Sequence, residues 1–248
     1  MDRLTLPVPR LHYEDRGSGH PLLLLPGALG GGLTDFAPQL DAFSAHFRAI
    51  APDPRGYGRS RPPERDFPLD FLERDARDMA ALLDGLGVPH FHVAGWSDGA
   101  TTAVLLALAC PDRVTKLVIW GGNSFFADED VERLERVRHL SAWSARMRSA
   151  LQGVYGDSLQ DLWSRYCDAI TAIRRSGGEI CRTRLHLIRC PTLILHGDLD
   201  PLVPAIHPQT FRANIPGARY YAFPDGRHNL HLAHTGEFNR VVGEFLRE

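Results

Sequence analysis

The chain has 248 residues, a length sufficient for one α/β domain with an insertion. Of these residues, 44% are hydrophobic and 23% are charged. Its net charge of −2 gives no electrostatic support for binding a nucleic acid or an acidic membrane surface. The cysteines show neither C-x-x-C nor metal-ligand spacing, so we expect free thiols and neither a metal nor a cofactor. They are Cys110, Cys167, Cys181 and Cys190.

The N-terminal stretch MDRLTLPVPRLHYEDRGSGH (1–20) lacks the apolar core of a signal peptide. The apolar runs elsewhere are too short to span a bilayer. We therefore expect a cytoplasmic protein, a monomer or small homo-oligomer, whose partner is a small-molecule ester substrate and not a nucleic acid or a membrane.

The first half of the chain alternates short apolar runs with helical patterns, which is typical of a mostly parallel sheet with helices on both faces. The apolar run PLLLLPG (21–27) is closed by glycine and predicts a strand buried on both faces. The segment 100–110 is apolar nearly all round and predicts a buried helix. The other elements predicted here are strands over 47–53, 90–95 and 116–121 and a helix over 70–88.

Residues 123–187 carry no strand pattern, and their apolar residues repeat at helical spacing. The repeating residues are Val131, Leu134, Val137 and Leu140, then Leu159, Leu162, Trp163, Tyr166, Ile170 and Ile173. Strands are predicted again over 191–197 and 218–223, before a last helix over 235–247. We expect an α/β core of residues 1–122 and 188–248 and an inserted helical cap, or lid, of residues 123–187 over the ligand-binding edge of the sheet. The alternative is a structural subdomain with no gating role.

The stretch AGWSDGATT (94–102) lies between a predicted strand and the predicted buried helix. Its residues Gly95, Ser97 and Gly99 form a G-x-S-x-G pattern, in which small residues relieve crowding at a sharp strand-to-helix turn. The bare pattern is weak, but this context is that of a nucleophile elbow. Ser97 is therefore the candidate nucleophile.

A serine hydroxyl needs a base to remove its proton, and the base needs a carboxylate to orient it. Asp198 and Asp200 both follow the predicted strand 191–197. Asp198 comes directly after a glycine and is typical of a turn. Asp200 lies deeper in the loop and is followed by the stiffening Pro201, so we favour Asp200 as the acid.

Three histidines follow the predicted strand 218–223. His228 comes first and lies on the loop, at the same edge of the sheet as Ser97 and the aspartates, so it is the candidate base. His231 and His234 are expected to start the final helix and to serve packing and solvation.

A tetrahedral intermediate requires hydrogen-bond donors for its oxyanion. One is expected from the backbone N–H of Asp98, at a helix N-terminus whose dipole favours negative charge. The other is expected from the glycine-rich loop after strand 21–27, with Ala28 as the first candidate and Leu29 as the alternative. This loop lacks the lysine of a P-loop and the G-x-G-x-x-G spacing, so no phosphate site is predicted.

The motifs PGALG, DPRGYGRS, GWSDG, GDLDPLVP and GRHNLHL resemble those of the α/β-hydrolase fold family, over essentially the whole chain. Within that family the chain is similar to serine esterases that act on α-amino-acid esters, with a preference for apolar amino acids. The resemblance implies a triad of Ser97, Asp200 and His228. Pro26 stands where the wider family commonly has histidine, a replacement shared with the amino-acid esterases.

The resemblance also implies that the Asp98 carboxylate binds the protonated α-amino group of the substrate. The physical argument agrees, since an ammonium about 4 Å away gains roughly 4 kcal/mol at an effective dielectric near 20, before desolvation losses. The alternative is a carboxylate that only favours a helix N-terminus, worth about 0.3–1 kcal/mol. An uncharged cap would serve that purpose without placing charge near the oxyanion. Leu202, beside Asp200, is a candidate lining residue of a hydrophobic acyl pocket.

Other functions fit parts of this pattern. A general carboxylesterase would use the same triad, and so would a carbon–carbon bond hydrolase of meta-cleavage products, whose anionic substrates Asp98 would repel. A haloalkane dehalogenase or epoxide hydrolase needs aspartate at position 97, which is serine. A hydrolase-fold ligand receptor with little turnover is the alternative that is not an enzyme.

Overall fold

The structure is a computed structural model that describes residues 10–248. Residues 1–9, which include part of the stretch expected not to be a signal peptide, lie outside the described residues. The strands are Tyr13–Arg16 (β1), His20–Leu25 (β2), Phe47–Pro52 (β3), Phe91–Trp96 (β4), Val114–Trp120 (β5), Thr192–Gly197 (β6) and Arg219–Phe223 (β7). They form one sheet in the order β1-β3-β2-β4-β5-β6-β7, in which only β1 is antiparallel to its neighbour. The mostly parallel α/β sheet predicted from the sequence is confirmed.

The helices are Gly32–Phe43 (α1), Phe71–Gly85 (α2), Asp98–Ala109 (α3), Asp128–Arg136 (α4), Ala145–Tyr155 (α5), Leu159–Arg175 (α6), Ile206–Asn214 (α7), Leu230–Ala233 (α8) and Thr235–Arg247 (α9). The sequence patterns missed β1, α1 and α7. β1 is a short polar edge strand, and α1 begins among glycines and contains Pro38, so neither gives a clear periodic signal. Within residues 10–248, no helix is both long and apolar enough to cross a membrane.

The core lies on both faces of the sheet. Along β2, Leu23 and Leu25 pack into the cluster that contains α2 and α3 residues, whereas Leu22 and Leu24 pack into the cluster that contains α1 and α9 residues. Successive side chains of a strand point to opposite faces, so a strand covered on both sides needs an unbroken apolar run. This explains why the β2 sequence is continuously hydrophobic.

Residues 123–187, called here the inserted segment, contain α4, α5 and α6 between β5 and β6. All six residues of the second periodic set predicted for this segment are buried on α6. The first periodic set is only partly helical, because α4 ends at Arg136 and a short 3-10 turn follows at Leu140–Ala142. Phe125 and Glu179 form an isolated antiparallel bridge near the two ends of the segment.

The parallel strands bring four loops to one edge of the sheet. The glycine-rich loop follows β2, Ser97 follows β4, Asp200 follows β6 and His228 follows β7. Because the carboxyl ends of parallel strands meet at the same edge, these loops converge.

Candidate active site

Ser97 lies alone between the end of β4 and the start of α3, with φ 57° and ψ −123°. A non-glycine residue pays a conformational cost of about 1–3 kcal/mol there, and its surroundings must hold it in place. A Cβ atom at Gly95 would lie 2.1 Å from the carbonyl oxygen of Gly99, and one at Gly99 would lie 2.1 Å from that of Leu25. Both glycines of the motif are therefore required by close packing of this turn.

The structure brings Ser97, His228 and Asp200 into one hydrogen-bonded chain. His228 Nε2 lies 3.0 Å from Ser97 Oγ, and His228 Nδ1 lies 2.8 Å from Asp200 Oδ2. The nitrogen that faces the carboxylate must carry the ring proton, which leaves Nε2 free to accept the serine proton. This is the geometry that activates a serine nucleophile.

Asp200 is buried, and its Oδ1 accepts hydrogen bonds from the backbone N–H groups of Leu202 and Val203 at 2.8 and 3.0 Å. Burial acts to raise the pKa of Asp200, but the charge of His228 and these hydrogen bonds outweigh it, so the pKa lies below its ordinary value. The carboxylate therefore stays ionised. Asp198, the alternative weighed from the sequence, is exposed to solvent.

The other two histidines lie apart from the triad. His231 is buried on α8, where it accepts a hydrogen bond of 3.1 Å from Trp120 Nε1, and burial lowers its pKa to about 3. His234 precedes α9. His228 itself is anchored by its backbone carbonyl, which accepts a hydrogen bond of 2.8 Å from Trp96 Nε1.

The glycine-rich loop turns sharply beside Ser97. Gly30 N–H donates to the carbonyl of Gly27 at 3.1 Å, which places Ala28 and Leu29 at the corners, and Leu29 has a φ of 65°. Ala28, Leu29, Ser97 and Asp98 line one pocket. Within the described chain, the N–H groups of Ala28, Leu29 and Asp98 donate to no protein group. These are the donors predicted for an oxyanion hole, and they are free to bind a ligand oxygen.

Two buried carboxylates accept hydrogen bonds from backbone N–H groups of this loop. Asp35 Oδ2 accepts a hydrogen bond from Gly27 N–H at 3.1 Å, and Asp53 Oδ1 accepts one from Gly32 N–H at 2.8 Å. Burial raises the pKa of Asp35 to about 7. A Cβ atom at Gly30 would lie 2.0 Å from Asp35 Oδ2, so this glycine allows the carboxylate to approach. The sequence reasoning did not find either aspartate.

The two carboxylate oxygens of Asp98, the residue after Ser97, differ in their hydrogen bonding. Oδ1 accepts a hydrogen bond of 2.7 Å from the Tyr166 hydroxyl, whereas Oδ2 is buried and has no partner among residues 10–248. Burial raises the pKa of Asp98 to about 6, against the effects of the Tyr166 hydrogen bond and the Arg65 charge. Arg65 is itself held by Asp75 through two hydrogen bonds of 2.8 and 2.6 Å. The Asp98 carboxylate thus forms no salt bridge within the described chain.

Tyr166 reaches Asp98 from α6 of the inserted segment and is buried. Burial and the Asp98 charge raise the pKa of Tyr166 well above its ordinary value, so its hydroxyl keeps its proton and donates. The tyrosine ring stacks on Trp163, with centroids 5.1 Å apart. The sequence reasoning placed Tyr166 only in a periodic apolar set, because its position on the helix is that of a core residue.

A second carboxylate, Asp130, lines the same pocket but is fully hydrogen-bonded. Its Oδ1 lies 3.0 Å from the donating Nδ2 of Asn123 and 2.8 Å from Nε2 of the buried His207, and its Oδ2 accepts from the Ala127 N–H at 2.7 Å. This network ties α4 to α7. The apolar wall of the pocket contains the predicted Leu202 together with Phe126, Leu134, Met147 and Trp163.

A serine, a histidine and an aspartate on loops after β4, β7 and β6 define the class of α/β hydrolases with a serine nucleophile. Comparison with known proteins agrees. The family model described as the alpha/beta hydrolase fold matches residues 20–165 and 134–235. This chain belongs to the α/β-hydrolase fold family.

The relatives make the class more specific. The chain is 46% identical over 241 residues to serine hydrolase BPHL of Mus musculus, covering 96% of this chain and 83% of that protein. It is 44% identical over 245 residues to serine hydrolase BPHL of Homo sapiens, with the same coverage of 96% and 83%. The motif resemblance to valacyclovir hydrolase, also called biphenyl hydrolase-like protein, is thereby confirmed, and the chain is a serine hydrolase.

Among solved structures, 2-hydroxy-6-oxo-6-phenylhexa-2,4-dienoate hydrolase from Rhodococcus sp. strain RHA1 is similar, with a TM-score of 0.84. The match covers 96% of this chain and 95% of that chain at 18% identity, which shows the fold alone.

Proposed function

We propose that this serine hydrolase cleaves α-amino-acid esters of apolar amino acids through an acyl-enzyme, with small alcohols or prodrug alcohols as leaving groups. Ser97 is the nucleophile, His228 the general acid–base and Asp200 the residue that orients the histidine. Ala28 and Asp98 supply the N–H groups for the oxyanion, with Leu29 as the alternative to Ala28. The side chain of Asp98 binds the α-ammonium of the substrate.

The observation that carries this proposal is the unpaired Oδ2 of Asp98. A buried carboxylate without a cation is costly, and proteins usually pair such a group or neutralise it. Here Asp98 lines the same pocket as Ser97, and its Oδ2 has no hydrogen-bond partner in the described chain. An ammonium group on the substrate would supply the missing partner, and it would do so beside the ester carbonyl that Ser97 attacks.

The mechanism follows from the positions of these groups. The α-ammonium lies on Asp98 Oδ2, and the ester carbonyl lies over Ser97 Oγ. As the oxygen of Ser97 attacks, its proton passes to His228 Nε2, and the carbonyl electron pair moves onto the oxyanion. His228 then gives that proton to the leaving alcohol. Water, deprotonated by His228, hydrolyses the acyl-enzyme and restores Ser97.

The remaining walls of the pocket support an apolar acyl side chain. Phe126, Leu134 and Trp163 face the cavity from the inserted segment, and Leu202 faces it from the loop that carries Asp200. A short apolar side chain such as that of valine would bury hydrophobic surface there, at about 25 cal/mol per Å². We propose that the inserted segment acts as the cap that encloses this pocket.

A carbon–carbon bond hydrolase is the main competing enzyme, since the similar Rhodococcus structure carries such a name. The dienoate in that name is an anion, and the Asp98 carboxylate would repel an anionic substrate. The chemistry of the pocket therefore favours a cationic substrate.

The test compares three benzyl esters: that of valine, that of N-acetylvaline, and that of 3-methylbutanoic acid, which lacks the amine without added bulk. We expect kcat/KM for the valine ester to exceed that of the deaminated ester by tens-fold, corresponding to about 2 kcal/mol. In Asp98→Asn, which keeps the size and the Tyr166 hydrogen bond, the preference should fall close to one. Ser97→Ala provides the blank.

Equal turnover of all three esters by the wild type would identify a general carboxylesterase in which Asp98 is incidental. Turnover of none of them, with a single binding event and no product, would favour the ligand-receptor alternative.

A further inference from the structure

Tyr155, the last residue of α5, connects the inserted segment to the glycine-rich loop. Its hydroxyl donates a hydrogen bond of 2.8 Å to the carbonyl oxygen of Leu29 and accepts one of 3.1 Å from the N–H of Gly58. The tyrosine side chain is buried. Its hydroxyl therefore binds the carbonyl of the turn and not the N–H groups that would bind a substrate oxygen.

Leu29 needs such support. Its φ of 65° is a left-handed conformation that a leucine rarely adopts, because its Cβ atom is crowded there. A strained residue persists only where its surroundings determine its conformation. Gly30 N–H fixes one end of the turn through the Gly27 carbonyl, and the Tyr155 hydroxyl fixes the carbonyl of Leu29.

The end of α5 is itself anchored to the core. Arg61 Nη2 donates to the carbonyl of Val154 at 2.7 Å, and Arg61 Nε donates to the carbonyl of Gly58 at 3.1 Å. The guanidinium lies 4.7 Å from the centre of the Tyr155 ring. Helix α5, the Gly58 loop and the Leu29 turn thus form one connected unit.

We propose that Tyr155 is a positioning residue for the oxyanion hole, which orients the Ala28 and Leu29 N–H groups by holding the Leu29 carbonyl. This inference rests on the proposed role of that turn in binding the oxyanion. It assigns the inserted segment a part in transition-state stabilisation, in addition to covering the pocket.

The test is Tyr155→Phe, which removes the hydroxyl and leaves the ring. The matched control is Tyr57→Phe, because the neighbouring Tyr57 is also buried and its hydroxyl has no partner in the described chain. Both variants are assayed on a neutral ester, p-nitrophenyl butyrate, and on the valine benzyl ester, and their melting temperatures are measured. Loss of one oxyanion donor costs about 10²–10³-fold in kcat, so we expect displacement of a donor to cost about 10- to 100-fold.

A trifluoromethyl ketone gives a second readout. Ser97 Oγ adds to its carbonyl carbon, the carbonyl electron pair moves to the oxygen, and the serine proton passes to His228, so the adduct carries the oxyanion. We expect Tyr155→Phe to weaken this inhibitor by the same factor as kcat, to leave KM within about twofold, and to act equally on both esters. Tyr57→Phe should match the wild type.

An unchanged kcat and inhibitor affinity in a folded Tyr155→Phe would overturn the inference, and so would a loss confined to KM. If that variant does not fold, Arg61→Met tests the same unit, and an unchanged kcat in it would again count against the inference. Failure of the proposed amino-ester function is a separate result, since it would show as absence of amine preference in the wild type while the neutral-ester comparison still holds.

Discussion

The α/β core and the inserted segment both line the pocket, and they contribute different kinds of group. The core contributes Ser97, Asp200 and His228, each at the end of a strand and each hydrogen-bonded to another. The inserted segment contributes an apolar wall and the hydroxyls of Tyr155 and Tyr166, which both bind groups of the core. In the proposed mechanism the core therefore carries out the reaction chemistry, whereas the inserted segment orients core groups proposed to bind the substrate.

The same contrast separates the two carboxylates of the pocket. Asp130, on the inserted segment, has both oxygens hydrogen-bonded and ties helices together. Asp98, on the core, retains an oxygen without a partner in the described chain. A fully bonded buried carboxylate is a structural group, but an unpaired one is a binding site or a source of instability. For this reason we propose that Asp98, and not Asp130, binds the substrate ammonium.

The largest expected effect is on the core side. Ser97→Ala and His228→Ala should each lower kcat by at least about 10³-fold on every ester, because neither residue works without the other. The double variant should be no slower than the worse single variant. Steady-state kinetics on p-nitrophenyl butyrate measure this, and losses that multiply in the double variant would mean that the two residues act independently.

A smaller and selective effect is expected from Tyr166→Phe on the inserted side. Loss of one hydrogen bond to a charged group costs about 1.5–3 kcal/mol, so the preference for the valine ester over its deaminated counterpart should fall by at least about tenfold. The neutral ester should be hydrolysed at the wild-type rate. A matching loss on the neutral ester would show that Tyr166 supports the pocket as a whole and not Asp98.

The amine preference should also depend on pH. Burial raises the pKa of Asp98 to about 6 in the free enzyme, and the protonated acid carries no charge to attract an ammonium. The α-amino group of the substrate loses its proton at about pH 8. The ratio of kcat/KM for the valine ester to that of the deaminated ester should therefore peak between these values. In Asp98→Asn the fall toward acidic pH should disappear, and its persistence would assign that fall to another group.

The smallest effect is on stability. Asp98→Asn removes a buried charge that has no protein cation, so the folded state should gain stability at neutral pH. A gain of about 1 kcal/mol would raise Tm by about 2–4 °C in a chain of this size. Asp130→Asn is the matched control and should lower Tm, because it breaks a complete hydrogen-bond network. Thermal unfolding at pH 7.5 measures both, and a fall in Tm for Asp98→Asn would indicate a structural role.

The sequence was informative where a group follows a strand. Ser97, Asp200 and His228 each lie on the loop that follows a predicted strand, so order along the chain and sheet geometry were sufficient to predict that they meet. The mostly parallel sheet was predictable for the same reason. The strands 47–53 and 90–95 matched β3 and β4 to within two residues at each end.

The sequence does not predict hydrogen bonds between a helix of the inserted segment and a distant loop of the core. Tyr166 is 68 residues from Asp98, and Tyr155 is 126 residues from Leu29. Each occupies a helical position whose burial is equally consistent with simple packing. The role of Asp35 could not be predicted because helix α1, which carries it, gives no clear sequence signal. The absence of a cation at Asp98 within residues 10–248 depends on the pairing of Arg65 with Asp75, which no local sequence pattern encodes.

The most direct test of the central claim is the crystal structure of Ser97→Ala with the benzyl ester of valine bound. We expect the substrate nitrogen to lie within hydrogen-bond distance of Asp98 Oδ2, about 2.7–3.2 Å, with the ester carbonyl oxygen directed toward the N–H groups of Asp98 and Ala28. A bound ester whose ammonium points to solvent, with Asp98 Oδ2 still unpaired, would contradict it.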